Sequence, residues 1–459
     1  MMARPCCVVV VLLLLAEVSS LGEGVPNPGF VARITRKGLE YARQYGMATL
    51  KKELSNVNLP DLSGSFKAGW MGSVRYECRS LRIRSFQLRN SDLHLRPSQG
   101  VTASLSNNYM SVSGNWKVEK GFITLEGTFV LSVDGISISI SLTLGKDQSG
   151  RPTASVAHCS NAIGHVSIDI SGQLSWLLNL FRATIESKLK NILTQKICEM
   201  VRSSTTSHLE PYLRTLPVTL AIDQIAGIDY SLVGAPRVTS RALDTPFKGK
   251  FFGLRQRFRV PFRSPSVKLP WEHDRMAYIA VSQYVFNTAS QVYRQAGLMN
   301  FTIRNEHLAR LYPNMEVGLE LSPESAPFLT FTPGNVTLMP VMNIEAFALL
   351  PNASDRSPLF QLRARTNISA TISVSSGKIF GSLSPGSKLE LELKHSHIGF
   401  FNVGLMESIF NYYAPYVVYP SINAKLKEGF PLPLPRDTYL NSLQLQILQN
   451  FVLIKADID

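Results

Sequence analysis

What the 459 residues lack narrows the field first. No G-x-S-x-G elbow, H-E-x-x-H pair, C-x-x-C, P-loop or G-x-G-x-x-G turn occurs, so the common frameworks for nucleophilic, zinc, thiol and nucleotide chemistry are missing. Only His395 and His397 have metal-like spacing, on one face of a strand, and no third ligand stands near them. Glu390 and Glu392 share that geometry without a catalytic partner. No catalytic residue, metal or cofactor is expected, and enzymes are set aside. Beyond the N-terminus no apolar run is long enough to cross a bilayer. Acid is scarce too, with 33 Asp and Glu against 47 Lys and Arg. The resulting charge of +14 predicts attraction to polyanions, meaning nucleic acid, acidic polysaccharide or an anionic lipid surface.

Where the charge sits matters more than its total. Residues 276–459 are balanced, with 13 of each sign, whereas residues 231–275 hold 10 basic against 3 acidic residues. The heart of that stretch, residues 236–271, is punctuated by Pro236, Pro246, Pro261, Pro265 and Pro270, so no regular helix or central strand should cross it intact. Arg237, Arg241, Lys248, Lys250, Arg255, Arg257, Arg259, Arg263 and Lys268 face a single acid there, Asp244. It reads either as a solvated linker or as a bridge between two repeats that carries anion-binding charge. Arg257, Arg259 and Arg263 share one parity and Phe258, Val260 and Phe262 the other, which predicts a two-faced strand and a second anion surface over Arg255, Arg257, Arg259 and Arg263.

Arg4, an apolar run from Cys6 to Ala16 and the small residues Val18, Ser19 and Ser20 form a signal peptide over residues 1–20. Secretion is therefore expected. It gives meaning to four sequons, Asn300, Asn335, Asn352 and Asn367, all in the neutral half. Cys78, Cys159 and Cys198 remain after the leader, an odd number that implies one bridge and one thiol without assigning the pair.

Along the chain, helical periodicity runs from 28 to 57, and strands follow. The ribbon from 65 to 88 changes its apolar parity twice, at Leu81 and again at Phe86, which demands bulges or a bend. A turn near residues 69–72 would lift Trp70 to a hairpin tip, and a second hairpin places Trp116, Lys117 and Lys120 near its turn. Each tryptophan suits either packing between hairpins or a lipid interface beside cations. Asp134-Gly135 reads as the cleanest turn, and the strand after it has one apolar face, Ile136 to Leu144, and one hydroxyl face. Leu177, Phe181, Ile185, Leu189, Leu193 and Ile197 step by fours along a long helix. The second half repeats the order: a helix over 278–296, strands from about 301 to 401, and a helix over 404–427 that Pro415 and Pro420 should kink or break. A strand-like end follows.

What remains is a binding protein. At this point the run Pro28-Gly29-Phe30-Val31-Ala32-Arg33-Ile34-Thr35-Arg36-Lys37-Gly38-Leu39 comes into play, with Phe86-Gln87-Leu88, His273-Asp274-Arg275-Met276, Phe286-Asn287-Thr288-Ala289, Leu391-Glu392-Leu393-Lys394-His395-Ser396 and Lys427-Glu428-Gly429-Phe430-Pro431-Leu432-Pro433. Together these runs resemble the bactericidal/permeability-increasing and lipopolysaccharide-binding protein family over the whole mature chain. The resemblance implies an α+β boomerang of two elongated barrels, each a twisted antiparallel sheet with long helices, joined by a central antiparallel sheet. It implies residues 21–235 as the N-terminal lipid-binding barrel, 236–271 as linker and central-sheet segment, and 272–459 as the C-terminal barrel. It further implies a phospholipid in an apolar pocket of each barrel, a Cys159–Cys198 bridge with Cys78 left as a buried thiol, and lipid A phosphates held by tip residues. The matching positions are Lys67, Arg75, Lys117 and Lys120, with Arg82 and Arg84 further along and Trp70 and Trp116 as aromatics.

Three features depart from the family pattern. Asn115, Glu119, Gly121 and Thr124 stand where basic residues are common, the linker is unusually basic, and the segment from Arg304 to Tyr312 is short. The expected function is a secreted, monomeric innate-immune protein, with storage in cytoplasmic granules as a further location, that binds lipopolysaccharide in the Gram-negative outer membrane. A plasma-type lipid transfer protein is the alternative. Heparin-like polyanions are further partners to test, and nucleic acid is not a physiological one.

Overall fold

Strands from the start, middle and end of the chain meet in one sheet. A computed structural model describes residues 26–459 except 56–58, 68–71, 98, 172–174, 257–259, 305–315, 350–355 and 401. The expected signal peptide, Trp70, Arg257, Arg259, Asn352 and most of the short segment after Arg304 lie outside the described residues. The central sheet runs, in spatial order, Arg237–Val238, Ala242–Phe247, Phe30–Thr35, Ala277–Ser282, Phe451–Ile458 and Leu440–Leu448. Its two middle strands are antiparallel, with Phe30 opposite Val281 and Ile34 opposite Ala277.

Each of these two strands runs straight into a helix, Arg36–Ser55 or Gln283–Gln295. The helical reading of 28–57 and 278–296 is corrected at the start of both. Pairing decides the matter: all six residues of Ala277–Ser282 are buried, flanked by strands on both sides. Ser282 then caps the helix, its Oγ accepting from the Tyr284 amide at 3.2 Å.

Pro246 lies inside the Ala242–Phe247 strand, contrary to expectation. Its carbonyl accepts from the Val233 amide rather than from Phe30–Thr35, so the missing N–H faces the sheet edge and no ladder bond is lost. After Gly253 the described linker residues form no strand until Ala277; residues 260–263 are irregular, and Arg257, Phe258 and Arg259 of the expected two-faced strand lie outside the described residues. The linker instead straps the central sheet. Val267 and Leu269 pack on the cluster of Val31, Tyr278, Ala280 and Leu453. Ser264 Oγ donates to the Pro28 carbonyl at 2.8 Å, and Arg33 Nη1 donates to that of Pro270 at 2.7 Å.

The N-terminal half wraps a seven-stranded antiparallel sheet around the Ser175–Ser204 helix. Ile136, Ile138 and Ile140 share a buried cluster with Ile185, Leu189, Leu193 and Ile197 of that helix, as the two apolar stripes require. Asp134-Gly135 is no hairpin. The Ile123–Lys146 strand passes through it and changes partner, pairing Val166–Ile170 before it and Pro152–Ala162 after it. Gly135 takes φ +68°, and buried Asn108 fills the bend by donating to the Ile136 carbonyl at 3.0 Å. The parity changes in Ser73–Gln87 appear as register shifts between Arg79 and Arg82 and between Ile83 and Ser85.

Cys159 and Cys198 form the disulfide, 39 residues apart, tying an edge strand to the long helix. In the chain-entropy treatment that loop contributes about 4 kcal/mol. Cys78 is the buried thiol; burial pushes its pKa up to about 12, which leaves it a small hydrophobe.

The C-terminal half carries two five-stranded antiparallel sheets and the Val403–Leu426 helix. That helix holds both Pro415 and Pro420 within one helical span, correcting the expected interruption. Two asparagines clamp it to the sheet on either side of the prolines. The Leu389 and Leu383 amides donate to the Asn411 and Asn423 side chains, both at 2.7 Å.

Candidate functional site

Two of the longest strands in the chain, Gly100–Lys120 and Ile123–Lys146, carry one tight turn at Gly121-Phe122. Gly121 adopts φ +56°, a conformation a side chain would resist. The turn throws Phe122 entirely into solvent, at 108% relative exposure, and leaves Ile123 62% exposed. Lys120 is exposed next to them and approaches the neighbouring strand connection, where a Cβ on Gly72 would lie 3.3 Å from its Nζ. Lys67 is exposed at the end of Leu62–Lys67.

Arg75, Glu77 and Arg79 line the outward face of Ser73–Gln87, opposite Glu119, Lys117 and Asn115 of the next strand. Lys117 bonds Glu119, and Arg79 bonds Glu77. The Glu119 hydrogen bond pushes Lys117 above its ordinary pKa and holds Glu119 below the usual carboxylate range. The expected tip cations Lys67, Arg75, Lys117 and Lys120 are thus on one end of the sheet, but Arg75 and Lys117 share their face with two carboxylates. Arg82 and Arg84, beyond the bulges, are exposed, and Arg82 faces Ser113.

Trp116 is corrected. It is a core residue, 2% exposed, with Nε1 donating to the Ser171 carbonyl at 3.1 Å. It shares a buried parity with Val112, Gly114 and Val118, a signal present in the sequence. Phe122 was missed because the hairpin was placed without fixing its turning point; Gly121 marks it.

At the waist, Arg255 and Arg263 are exposed while Phe262 stacks edge-on against Tyr284 and Phe328. Other waist cations are engaged. Asp244 is taken by Arg33, through two hydrogen bonds of 2.7 and 2.8 Å, rather than by the linker. Lys248 pairs with Asp229 at 2.7 Å, and burial lowers the Lys250 pKa. Trp271, next to the Pro270 whose carbonyl Arg33 bonds, is 82% exposed. Asn300 and Asn335 are exposed and Asn367 is half-buried. His395 and His397 stack edge-on at 4.3 Å, and among the described residues no three His, Cys, Asp or Glu side chains group as a metal site. No helix among the described residues is long and apolar enough to cross a membrane.

Two α+β halves that share a central sheet, one of them ending in an exposed apolar turn with Lys120 beside it, define a two-part binding scaffold. The chain belongs to the LBP / BPI / CETP family, whose N-terminal domain matches residues 38–212 and whose C-terminal domain matches residues 220–308 and 306–459. Lipopolysaccharide-binding protein of Homo sapiens is 46% identical over 471 residues, covering 98% of this chain and 97% of the relative. Bactericidal permeability-increasing protein of Rattus norvegicus is 36% identical over 468 residues, covering 97% of each chain. The crystal structure of lipopolysaccharide binding protein superposes with a TM-score of 0.65 at 43% identity, over 94% of this chain and 99% of that one.

Proposed function

We propose that the protein is a secreted innate-immune factor that binds the lipid A part of Gram-negative lipopolysaccharide, with an antibacterial, neutralising or presenting outcome. The observation that carries this reading is the fully exposed Phe122 on a turn that Lys120 adjoins, at the end of the sheet that also carries Lys67, Arg75 and Lys117. An apolar side chain held out in water gains only on entering an apolar layer, and ammonium and guanidinium groups beside it meet phosphate at the depth of the headgroups. The relatives named for lipopolysaccharide binding and bacterial permeability support the same assignment. Phe122 and Ile123 enter the acyl layer, the tip cations pair with lipid A phosphates, and divalent ions that bridge neighbouring lipids are displaced.

The proposal extends to a phospholipid held as a structural ligand in an apolar pocket of each barrel, residues 21–235 and 272–459, with 236–271 between them. It also extends to a monomeric state and to glycans on Asn300, Asn335, Asn352 and Asn367. Arg255 and Arg263, with Arg257 and Arg259, form a second anion-contacting surface at the waist, supported by the exposure of the first two.

The test is lipid A affinity, beside heparin affinity, at two salt concentrations. Changing Lys67, Arg75, Lys117 and Lys120 together to Ser should weaken lipid A binding and flatten its salt dependence. Unchanged lipid A binding removes the tip from the mechanism, and equal retention on heparin reduces it to bulk charge. Fast phospholipid transfer between neutral vesicles, with no gain from lipid A, points to a lipid shuttle instead.

A further inference from the structure

We propose that the groove beside the hairpin turn takes a zwitterionic headgroup of the phosphoethanolamine class in preference to a bare phosphate. This rests on the tip being the lipid-facing end, as proposed above. The outward face of the sheet reads as two rows across four strands. One row is Ser63, Glu77, Lys117 and Glu126; the next is Ser65, Arg75, Glu119 and Thr124. Signs alternate along the strands as well as across them. Ser63 and Ser65 on the edge strand are small, and with Arg75, Glu77, Lys117 and Glu119 they line an open cleft of about 400 Å³.

Neighbouring strands lie ~4.8 Å apart, so a cation and a carboxylate sit side by side at the separation of two charges joined by a short linker. A bare phosphate that reaches Arg75 or Lys117 is pressed against Glu119 and Glu77, and it must displace them from Lys117 and Arg79. A phosphoethanolamine instead lays its phosphate on Arg75 and Lys117 and its ammonium between Glu77 and Glu119. The added ammonium then offsets the phosphate's approach to Glu77 and Glu119, and of the cations only Arg79 gives up a carboxylate without a replacement. A primary ammonium also brings three hydrogen-bond donors to the carboxylates, which a quaternary choline does not. Arg82, opposite a serine, offers the contrasting site where a plain phosphate meets no acid across the strand.

The experiment compares binding of the full-length protein to phosphatidylcholine vesicles that carry equal fractions of phosphatidylethanolamine or phosphatidylglycerol. The quantity read is the ratio of the two affinities, in the wild type, in E77Q/E119Q and in the remote control E428Q. The control removes one exposed acid outside the groove, half the charge change of the double variant, so the square of its shift gives the effect of net charge alone. Cross-strand charge pairs of this kind change affinity by about two- to fivefold each. The double variant should therefore shift the ratio toward phosphatidylglycerol by roughly four- to twentyfold, and E428Q by less than about twofold. A shift in the double variant no larger than the square of the E428Q shift overturns the proposal.

Lipid A with and without an ethanolamine-capped phosphate, run in parallel, tells which lipid presents the group. A wild-type preference for the capped form that E77Q/E119Q abolishes assigns the groove to lipid A. A preference confined to phosphatidylethanolamine assigns it to phospholipid. If the four-cation variant keeps its lipid A affinity, the tip reading itself falls. If that variant loses affinity while E77Q/E119Q leaves the ratio unchanged, only the headgroup preference falls.

Discussion

Phe122→Ser separates binding from folding more cleanly than any other single change in this chain. The wild-type ring touches almost nothing in the folded protein, at 108% relative exposure, so its removal forfeits no packing. Thermal unfolding should shift by no more than about 1 °C, since exposed substitutions are close to neutral. Binding is another matter. Taking a phenylalanine side chain from water into an acyl layer is worth enough to change partitioning by roughly ten- to hundredfold. Flotation with lipid A vesicles should therefore show a loss of that size at every salt concentration, because the lost term is apolar. This salt signature distinguishes it from the four-cation variant, whose defect should shrink as salt rises. Phe122→Leu, which keeps most of the apolar area, should recover most of the affinity. Wild-type binding by Phe122→Ser would refute the reasoning, and so would a loss accompanied by a drop of several degrees in melting temperature.

Trp116→Ala should do the reverse. The buried ring leaves a cavity under the sheet, and a loss of about 3–5 kcal/mol in denaturant unfolding is expected, with lipid affinity intact in the protein that remains folded. Asp229 offers a pH test. Burial would raise its pKa, but hydrogen bonds from Lys248 and Ser231 outweigh that and hold it below the ordinary 3.8. A depressed carboxylate contributes stability that is present above about pH 4 and is lost as pH falls through the lowered value. Asp229→Asn should thus be less stable than wild type at pH 6, with the gap closing below pH 4 in urea titrations; a gap independent of pH would contradict this.

How much could be read in the sequence depended on how local the deciding forces were. The fours in Leu177 to Ile197 report a helix because the buried stripe lies within one segment. The bulges after Arg79 follow from a parity change that any register must respect. Phe30–Thr35 and Ala277–Ser282 were read as helix because their strand character comes from each other, across some 245 residues of chain. Arg33 falls inside that helical span for the same reason, whereas its partner is Asp244 in the adjoining strand. At the tip, residue types gave the cations and the hairpin but not the turning residue. That gives Trp116 the exposed position that Phe122 occupies. The pairing of Lys117 with Glu119 was invisible as well, although the misplaced acid had been noted as a departure.

The central sheet also sets an order of events during synthesis. Ala277–Ser282 is buried on both faces and lies between a strand near the start of the mature chain and Phe451–Ile458, made last. While the ribosome works through the second half, Phe30–Thr35 has one flank covered by Ala242–Phe247 and the other bare, then half-covered by a strand that itself lacks a neighbour. Each new strand thus leaves an open ladder edge that a second nascent chain could join. The waist closes only after Phe451–Ile458 emerges, so a stop near residue 450 should harm the whole molecule more than its distance from the hairpin turn at Gly121-Phe122 suggests.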